Sequence, residues 1–262
     1  MNAVLSVNGL TKDFGGLRAV NSVDFQIAAG EVVALIGPNG AGKTTFFNCV
    51  TGVYKPTKGH VEIQPPGGTR QSIVGLKPHR ITHKGLARTF QNIRLFGGMT
   101  VLENVMIGRH ARLHAGVFGA LLRDRATREE EQRVIADSYT ILQRMGLDKQ
   151  ANDVASNLPY GAQRRLEIAR ALATEPFVLL LDEPAAGMNP QETKELEALI
   201  LKIRDTDGIS IFLIEHDMSL VMSLSERIYV MDYGRLIATG SPEEVKQDPE
   251  VIRAYLGEEQ DA

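Results

Sequence analysis

Residues Gly37-Pro38-Asn39-Gly40-Ala41-Gly42-Lys43-Thr44-Thr45 follow the apolar run Val32-Val33-Ala34-Leu35-Ile36 and precede a segment able to continue as a helix. Their spacing fits G-x-x-x-x-G-K-[ST], the P-loop pattern. Glycines let a backbone wrap round an anion, successive N–H groups can point inward, and a helix starting near Lys43 aims its positive end at the same place. The predicted chemistry is the holding of a nucleoside triphosphate. Lys43 reaches the β- and γ-phosphates as a point charge, and Thr44 offers its hydroxyl to a magnesium ion bridging them. The glycines at 37, 40 and 42 run G-x-x-G-x-G, which is not the dinucleotide-binding order.

Further groups able to do chemistry close other apolar runs. Phe177-Val178-Leu179-Leu180-Leu181 ends in Asp182-Glu183, and Ile209 to Ile214 ends in Glu215-His216-Asp217. Such runs suit parallel strands buried on both faces, whose C-terminal ends form the rim where open α/β sheets bind ligands. A histidine at a strand end is ordinarily structural, but His216 is expected on the same rim as Asp182 and Glu183. Leu158-Pro159-Tyr160-Gly161-Ala162 is a turn running into a strong helix former, a second potential anion site. Phe14, in the turn Lys12-Asp13-Phe14-Gly15-Gly16, is either a core ring or a platform for a purine base. His110 and His114 have the i, i+4 spacing of metal ligands, but Ala, Arg and Leu lie between them, so no metal site is expected there.

The elements that must position these groups can be read in order. Val23, Phe25 and Ile27 alternate with Ser22, Asp24 and Gln26, the period of half-buried antiparallel strands. Residues 54 to 68 read as a variable hairpin between turns. Helices dominate from Thr89: Thr100 with Glu103 and Thr127 with Glu130 form capping boxes, and Val134, Ile135, Ile141, Leu142 and Met145 share one face before Gly146. Asn189 caps a helix begun by Pro190, with Glu192 at the box position and Leu196, Leu199, Ile200 and Ile203 facing the core. Ile228 to Met231 and Leu236 to Thr239 form a hairpin about Gly234, and Ser241 with Glu244 and Asp248 with Pro249 open two terminal helices.

A chain of 262 residues can bury roughly 70–75% of its unfolded surface without disulfides or metals. The formal charge of −3 gives no general attraction to nucleic acid, which is not expected as a partner. The single cysteine, Cys49, cannot form an internal disulfide and reads as a small buried hydrophobe, in keeping with a reducing cytosol. No apolar run approaches the roughly 20 residues that cross a bilayer, so membrane association is expected only through a partner.

The order of these motifs, with a helical insert between the first and the last, resembles the ATPase subunit of ABC transporters over essentially the whole chain. The resemblance implies an α/β fold of the P-loop NTPase (ABC ATPase) class: a mixed central sheet, an antiparallel β subdomain and an inserted helical subdomain. The implied domains are 1–90 with 176–262 as the nucleotide-binding core and 91–175 as the helical subdomain carrying the signature turn. By position, Phe14 matches the adenine-stacking aromatic, Gly37 to Thr45 the P-loop, Gln91 the Q-loop, Leu158 to Ala162 the signature turn, Asp182 and Glu183 the Walker B pair, Ala186 to Asn189 the D-loop, and His216 the switch histidine. The implied cofactors are ATP and Mg²⁺. Thr44, Gln91 and Asp182 serve the metal, while Glu183 is general base and His216 and Gln91 assist hydrolysis.

Finer features are similar to the LivG-type branch, which serves bacterial importers of branched-chain amino acids. They are Arg88-Thr89-Phe90-Gln91-Asn92-Ile93-Arg94-Leu95-Phe96, Arg164-Arg165-Leu166-Glu167-Ile168-Ala169-Arg170, Asp182-Glu183-Pro184-Ala185-Ala186-Gly187-Met188-Asn189-Pro190, Ile214-Glu215-His216-Asp217-Met218 and Arg253-Ala254-Tyr255-Leu256-Gly257. The implied setting is the cytoplasmic face of the inner membrane. The implied partners are integral membrane permease subunits, a second ABC ATPase subunit in a head-to-tail dimer, most simply a paralogue, and indirectly a periplasmic binding protein. The segment at Ile93, Leu95 and Phe96, too apolar for a solvated loop, is expected either to receive a membrane subunit or to anchor the loop in the protein interior. Departures from the family are Pro159 and Tyr160, where Leu-Ser-Gly-Gly-Gln is usual, and Asn189 in place of Asp. These suggest that Pro159, Tyr160 and Gly161 complete a poorer second ATP site. The ATPase of a lipid or lipopolysaccharide exporter, and a soluble non-transport ABC ATPase, are the alternative readings.

Overall fold

Alternating and continuous apolar segments need different partners, and this chain sorts them into two sheets. In the computed structural model, which describes residues 3–109 and 125–256, the chain forms two compact units. One comprises Met1–Arg88 with Phe177–Ala262, the other Thr89–Pro176.

In the first unit, β1 (Ala3–Phe14) and β2 (Leu17–Ala28) pair antiparallel. Val23, Phe25 and Ile27 are buried while Asp24 and Gln26 face water, as the alternation requires. The second sheet begins with β3 (Val32–Ile36), buried at every residue. β4 (Lys58–Ile63) and β5 (Gln71–Ser72) complete the antiparallel sheet in the order β2-β1-β4-β5. β6 (Leu86–Arg88), β7 (Val178–Asp182), β8 (Ser210–Ile214), β9 (Arg227–Asp232) and β10 (Arg235–Gly240) join β3 in a mixed sheet of order β10-β9-β3-β8-β7-β6. Only the β9–β10 pairing in that sheet is antiparallel. β7 and β8 are buried throughout like β3, which is why they read as unbroken apolar runs.

The helices in chain order are α1 (Lys43–Val50), α2 (Pro78–His83), α3 (Val101–Arg109), α4 (Arg125–Arg144), α5 (Tyr160–Leu172), α6 (Pro190–Asp207), α7 (Met218–Leu224), α8 (Pro242–Gln247) and α9 (Pro249–Leu256). Among them α3, α4 and α5 belong to the second unit. No helix among the described residues is long and apolar enough to cross a membrane.

The core of the first unit is keyed by aromatic rings. Phe25 of β2 lies 4.6 Å from Phe212 of β8 and 5.4 Å from Phe46 of α1, while Phe47 of α1 lies 5.4 Å from Phe212. Each buried ring removes enough apolar surface to stabilise by about 2–3 kcal/mol, so this cluster fastens the antiparallel sheet and α1 to the mixed sheet. Cys49 packs in the same cluster, and burial pushes its thiol up to about 11.

Capping follows the sequence closely in several places. Asn189 Oδ1 accepts from Gln191 N (2.9 Å) and Glu192 N (3.0 Å), with Glu192 Oε2 returning to Asn189 N at 3.0 Å. Thr100 with Glu103 and Ser241 with Glu244 close the same reciprocal box. Elsewhere the structure differs from expectation. α4 is already running at Arg125, so Thr127 does not open it. Ile135 is 41% exposed and Ser138 is buried, because the covered stripe runs through Val134, Ser138, Ile141, Leu142 and Met145. α2 and β6 interrupt a tract that gave no periodic signal, one having six residues and a single buried side chain, the other three residues. His110 and His114 lie outside the described residues.

α3 and α5 meet at Gly108, where an added Cβ would stand 2.4 Å from Arg170 O and 2.8 Å from Ala173 Cβ. Alanine is favoured over glycine inside a helix by about 1 kcal/mol, but prising two packed helices apart costs about 1–3 kcal/mol. Gly108→Ala is therefore expected to lower the stability of the second unit by about 1 kcal/mol, read as an earlier urea midpoint in circular dichroism. A later midpoint would show that the α3–α5 contact yields without strain.

Candidate nucleotide site

Register decides where the polar groups fall. Leu35 and Asp182 both pair with Ile214, so β3, β8 and β7 end together on one rim. The residues next in the chain are the Gly37 loop, Glu215-His216 and Glu183.

The loop after β3 turns through Gly37, Gly40 and Gly42 at φ +145°, +78° and +100°. Two of these glycines are fixed by neighbours as well as by conformation. A Cβ on Gly37 would lie 2.0 Å from Met231 O, and one on Gly42 would lie 2.4 Å from Ala19 O. The β9–β10 turn braces the loop from behind: Gly234 N donates to Ala41 O (2.9 Å), and Gly234 O accepts from Asn21 N (2.7 Å). Lys43 is buried at the loop's centre, its Nζ donating to Gly37 O (2.6 Å) and Pro38 O (2.8 Å). Asn39 and Gly40 are exposed at the tip, Thr44 is exposed on the first turn of α1, and Thr45 is half-buried. No side chain caps the N-terminus of α1, where Gly42 stands as N-cap.

The acids on the rim have distinct surroundings. Asp182 is buried, with Oδ2 3.4 Å from Arg88 Nη2. Arg88 also donates to Asn48 Oδ1 (3.0 Å) and Thr51 Oγ1 (2.8 Å) and lies over the Phe47 ring, so it ties the end of β7 to α1. Glu183 adopts φ +45°, rare for a residue with a side chain, and its N–H donates to Ile214 O at 2.8 Å. Its Oε1 is 2.8 Å from Nε2 of the more exposed His216.

Glu215 is a positioning residue that the motifs did not single out. Buried at the end of β8, it accepts from Ala185 N (2.8 Å) through Oε1, and from His216 N (2.8 Å) and Asp217 N (3.3 Å) through Oε2. One carboxylate thereby orients the segments after both Glu183 and Ile214. The available signal was an acid closing an otherwise apolar strand beside the histidine. Asp217 caps α7 through Leu220 N at 3.2 Å.

Phe14 is 41% exposed, which excludes the core reading. It meets Tyr54 edge-on at 5.3 Å and has Lys12 Nζ 4.7 Å from its ring centre. An exposed ring in that pairing can stack a planar base.

In the second unit, Gln91 is exposed on an irregular segment and Phe96 is exposed beyond it. Pro159 is the N-cap residue of α5 and offers no capping side chain. Tyr160 is 43% exposed, Gly161 and Ala162 are buried, and Leu158 is buried beneath the turn.

The donor set fits a magnesium nucleotide. The loop supplies a cationic centre and backbone curvature for phosphates, and the hydroxyl of Thr44 and the carboxylate of Asp182 suit a hard cation that keeps waters and takes phosphate oxygens. Such an ion needs no dense acidic cage, and none of three or more His, Cys, Asp or Glu gathers among the described residues.

The chain is similar to known proteins along nearly its whole length. Residues 20–186 match the family described as ABC transporter, and residues 235–261 match that described as branched-chain amino acid ATP-binding cassette transporter. The high-affinity branched-chain amino acid transport ATP-binding protein LivG of Escherichia coli K12 is 51% identical over 97% of this chain and 98% of its own length. BraF of Pseudomonas aeruginosa, of the same description, is 48% identical over the same shares. Among solved structures, the ADP conformation of an ATP-binding cassette of an ABC transporter superposes with a TM-score of 0.83 at 31% identity, covering 98% of this chain and 100% of that one. A nucleotide-free ATP-binding cassette gives 0.82 at 31% identity, over 97% and 99%. The chain belongs to the ABC transporter family, as one of its ATP-binding proteins of the kind represented by LivG and BraF.

Proposed function

We propose that this chain hydrolyses ATP to drive a membrane importer of branched-chain amino acids, with Glu183 as general base. The observation that carries the hydrolytic reading is the Glu183–His216 contact of 2.8 Å, on the rim that also bears the Gly37–Thr45 loop. Lys43 leaves its two loop carbonyls to meet the β- and γ-phosphates, and the loop N–H groups and the α1 N-terminus share their charge. Thr44 and Asp182 would hold a magnesium ion, which would neutralise phosphate charge when bound. Glu183 draws a proton from the attacking water, and His216, within hydrogen-bond reach of that carboxylate, orients water and γ-phosphate. Phe14 stacks on the adenine. Gln91 reads the state of the nucleotide.

The cargo and the partners are inferred from likeness to the LivG and BraF proteins, whose descriptions name branched-chain amino acid transport. On this reading the chain sits peripherally on the cytoplasmic face of the inner membrane, bound to permease subunits that a periplasmic binding protein feeds. A second ABC ATPase, a paralogue, meets it head to tail, so that each ATP lies between one P-loop and the other chain's signature turn. The exposed Phe96 belongs to the surface that receives the permease. Pull-down from solubilised membranes is expected to recover integral membrane subunits, and unlabelled leucine, isoleucine or valine is expected to compete in uptake. Recovery of ribosomes or nucleic acid instead would overturn the transport reading.

Two substitutions test the chemistry in the assembled transporter. Glu183→Gln is expected to retain ATP binding and lose turnover by about 10²-fold or more; undiminished hydrolysis removes Glu183 as the base. Pro159 has no N–H and no hydroxyl to give the partner's γ-phosphate, a loss of about 1.5–3 kcal/mol. Pro159→Ser supplies a hydroxyl and is expected to raise turnover several-fold, about the fraction of that bond recovered. Unchanged turnover would mean that the second site is not limited by this turn.

A further inference from the structure

We propose that Arg164 is a positioning residue that fastens the backbone of Gln91 to the signature helix, with Tyr160 linking it to the turn itself. The inference rests on the reading of Gln91 as nucleotide sensor and of residues 158–162 as the signature turn.

Arg164 is the largest fully buried side chain in the described structure. Its Nη1 donates to Phe90 O (2.6 Å) and Glu167 Oε2 (2.9 Å), and its Nη2 donates to Gln91 O (2.7 Å). Glu167 Oε1 in turn accepts from Arg94 N at 3.2 Å. One ion pair on α5 therefore holds both ends of the irregular segment 90–94. Nη2 also lies 3.4 Å from Tyr160 Oη, and Tyr160 occupies the exposed start of the same helix. Residues 160, 164 and 167 fall at i, i+4 and i+7, one face of α5.

The chemistry requires arginine. Two consecutive carbonyls and a carboxylate are met by one planar fork, and an ammonium cannot match that geometry. Burial pushes the Glu167 carboxyl up and the Arg164 charge opposes it, so the pair is held in a dry setting where directional bonds are stiff. A turn that is moved by a partner's nucleotide would carry α5, and α5 would carry Gln91 with it. Where the family usually has glycine, Tyr160 adds a side chain that reaches this clamp.

The test is a double-mutant cycle in the assembled transporter, using Arg164→Lys and Gln91→Ala, with kcat, KM for ATP and nucleotide binding measured for each. Each single change is expected to lower kcat by about tenfold with KM within about twofold, and the double variant to be no worse than either alone. Hydrogen exchange is expected to show lost protection at the Arg94 amide in Arg164→Lys. Multiplying losses would overturn the proposal, because a merely structural arginine acts independently of Gln91. If Gln91→Ala alone costs nothing, the sensor assignment fails, and this proposal falls with it. Should Arg164→Lys not fold, Tyr160→Phe, an exposed change, is expected to lower kcat about two- to fivefold in the natural background and not in Gln91→Ala. Equal effects in both backgrounds, or none in the first, would overturn the link to the turn.

Discussion

The parallel register of β3, β8 and β7 is the constraint on which the first unit depends. Because Leu35 and Asp182 face the same residue, Ile214, a slip in either pairing would move the loop, the carboxylates or the histidine off the common rim. The register is held by burial: all fifteen residues of these strands are inaccessible to solvent in any substantial degree, and a shift would break ladder bonds with no water to replace them. Phe212 on β8 then fastens this sheet to Phe25 and Phe47 on the elements beside it. Precision on the rim is thus a by-product of the core.

Charged side chains inside the protein either join neighbouring elements or hold backbone that has no regular structure. Arg88 binds Asp182 and two residues on and just after α1, Glu215 gathers three N–H groups after β7 and β8, and Arg164 with Glu167 gathers two carbonyls and an N–H from the segment after Thr89. A buried ion is costly, by several kcal/mol before compensation. Each of these side chains is compensated by fixed partners, which also confers direction. Hydrophobic contact could bring the same segments close, but would not fix which atoms point where.

The same distinction explains how much could be read from sequence. The phosphate loop, the paired acids and the histidine were legible because buried parallel strands are unbroken apolar runs, and each strand places the residues that come directly after it. The Asn189, Thr100 and Ser241 caps were legible because their partners lie within three residues. Arg88 and Arg164 were not legible as positioning residues, since their partners are 94 and 74 residues away. Nor were α2 and β6, which are too short to carry a period, or the face of α4, where Ser138 is covered and Ile135 is not. The exposure of Phe14 was not legible either, because exposure of a single ring has no local signature.

Cys49 has a consequence for watching this molecule at work. It is the sole thiol in the sequence, it lies in the aromatic core, and burial pushes its pKa up to about 11, which keeps it protonated near neutral pH. The natural chain is thus nearly silent towards maleimide dyes and spin labels while folded. A cysteine introduced on an exposed surface would be labelled against that quiet background, without first removing a residue that fills the core. Motions of the turn at Leu158 to Ala162 can therefore be followed by fluorescence or spin resonance in an otherwise unchanged sequence.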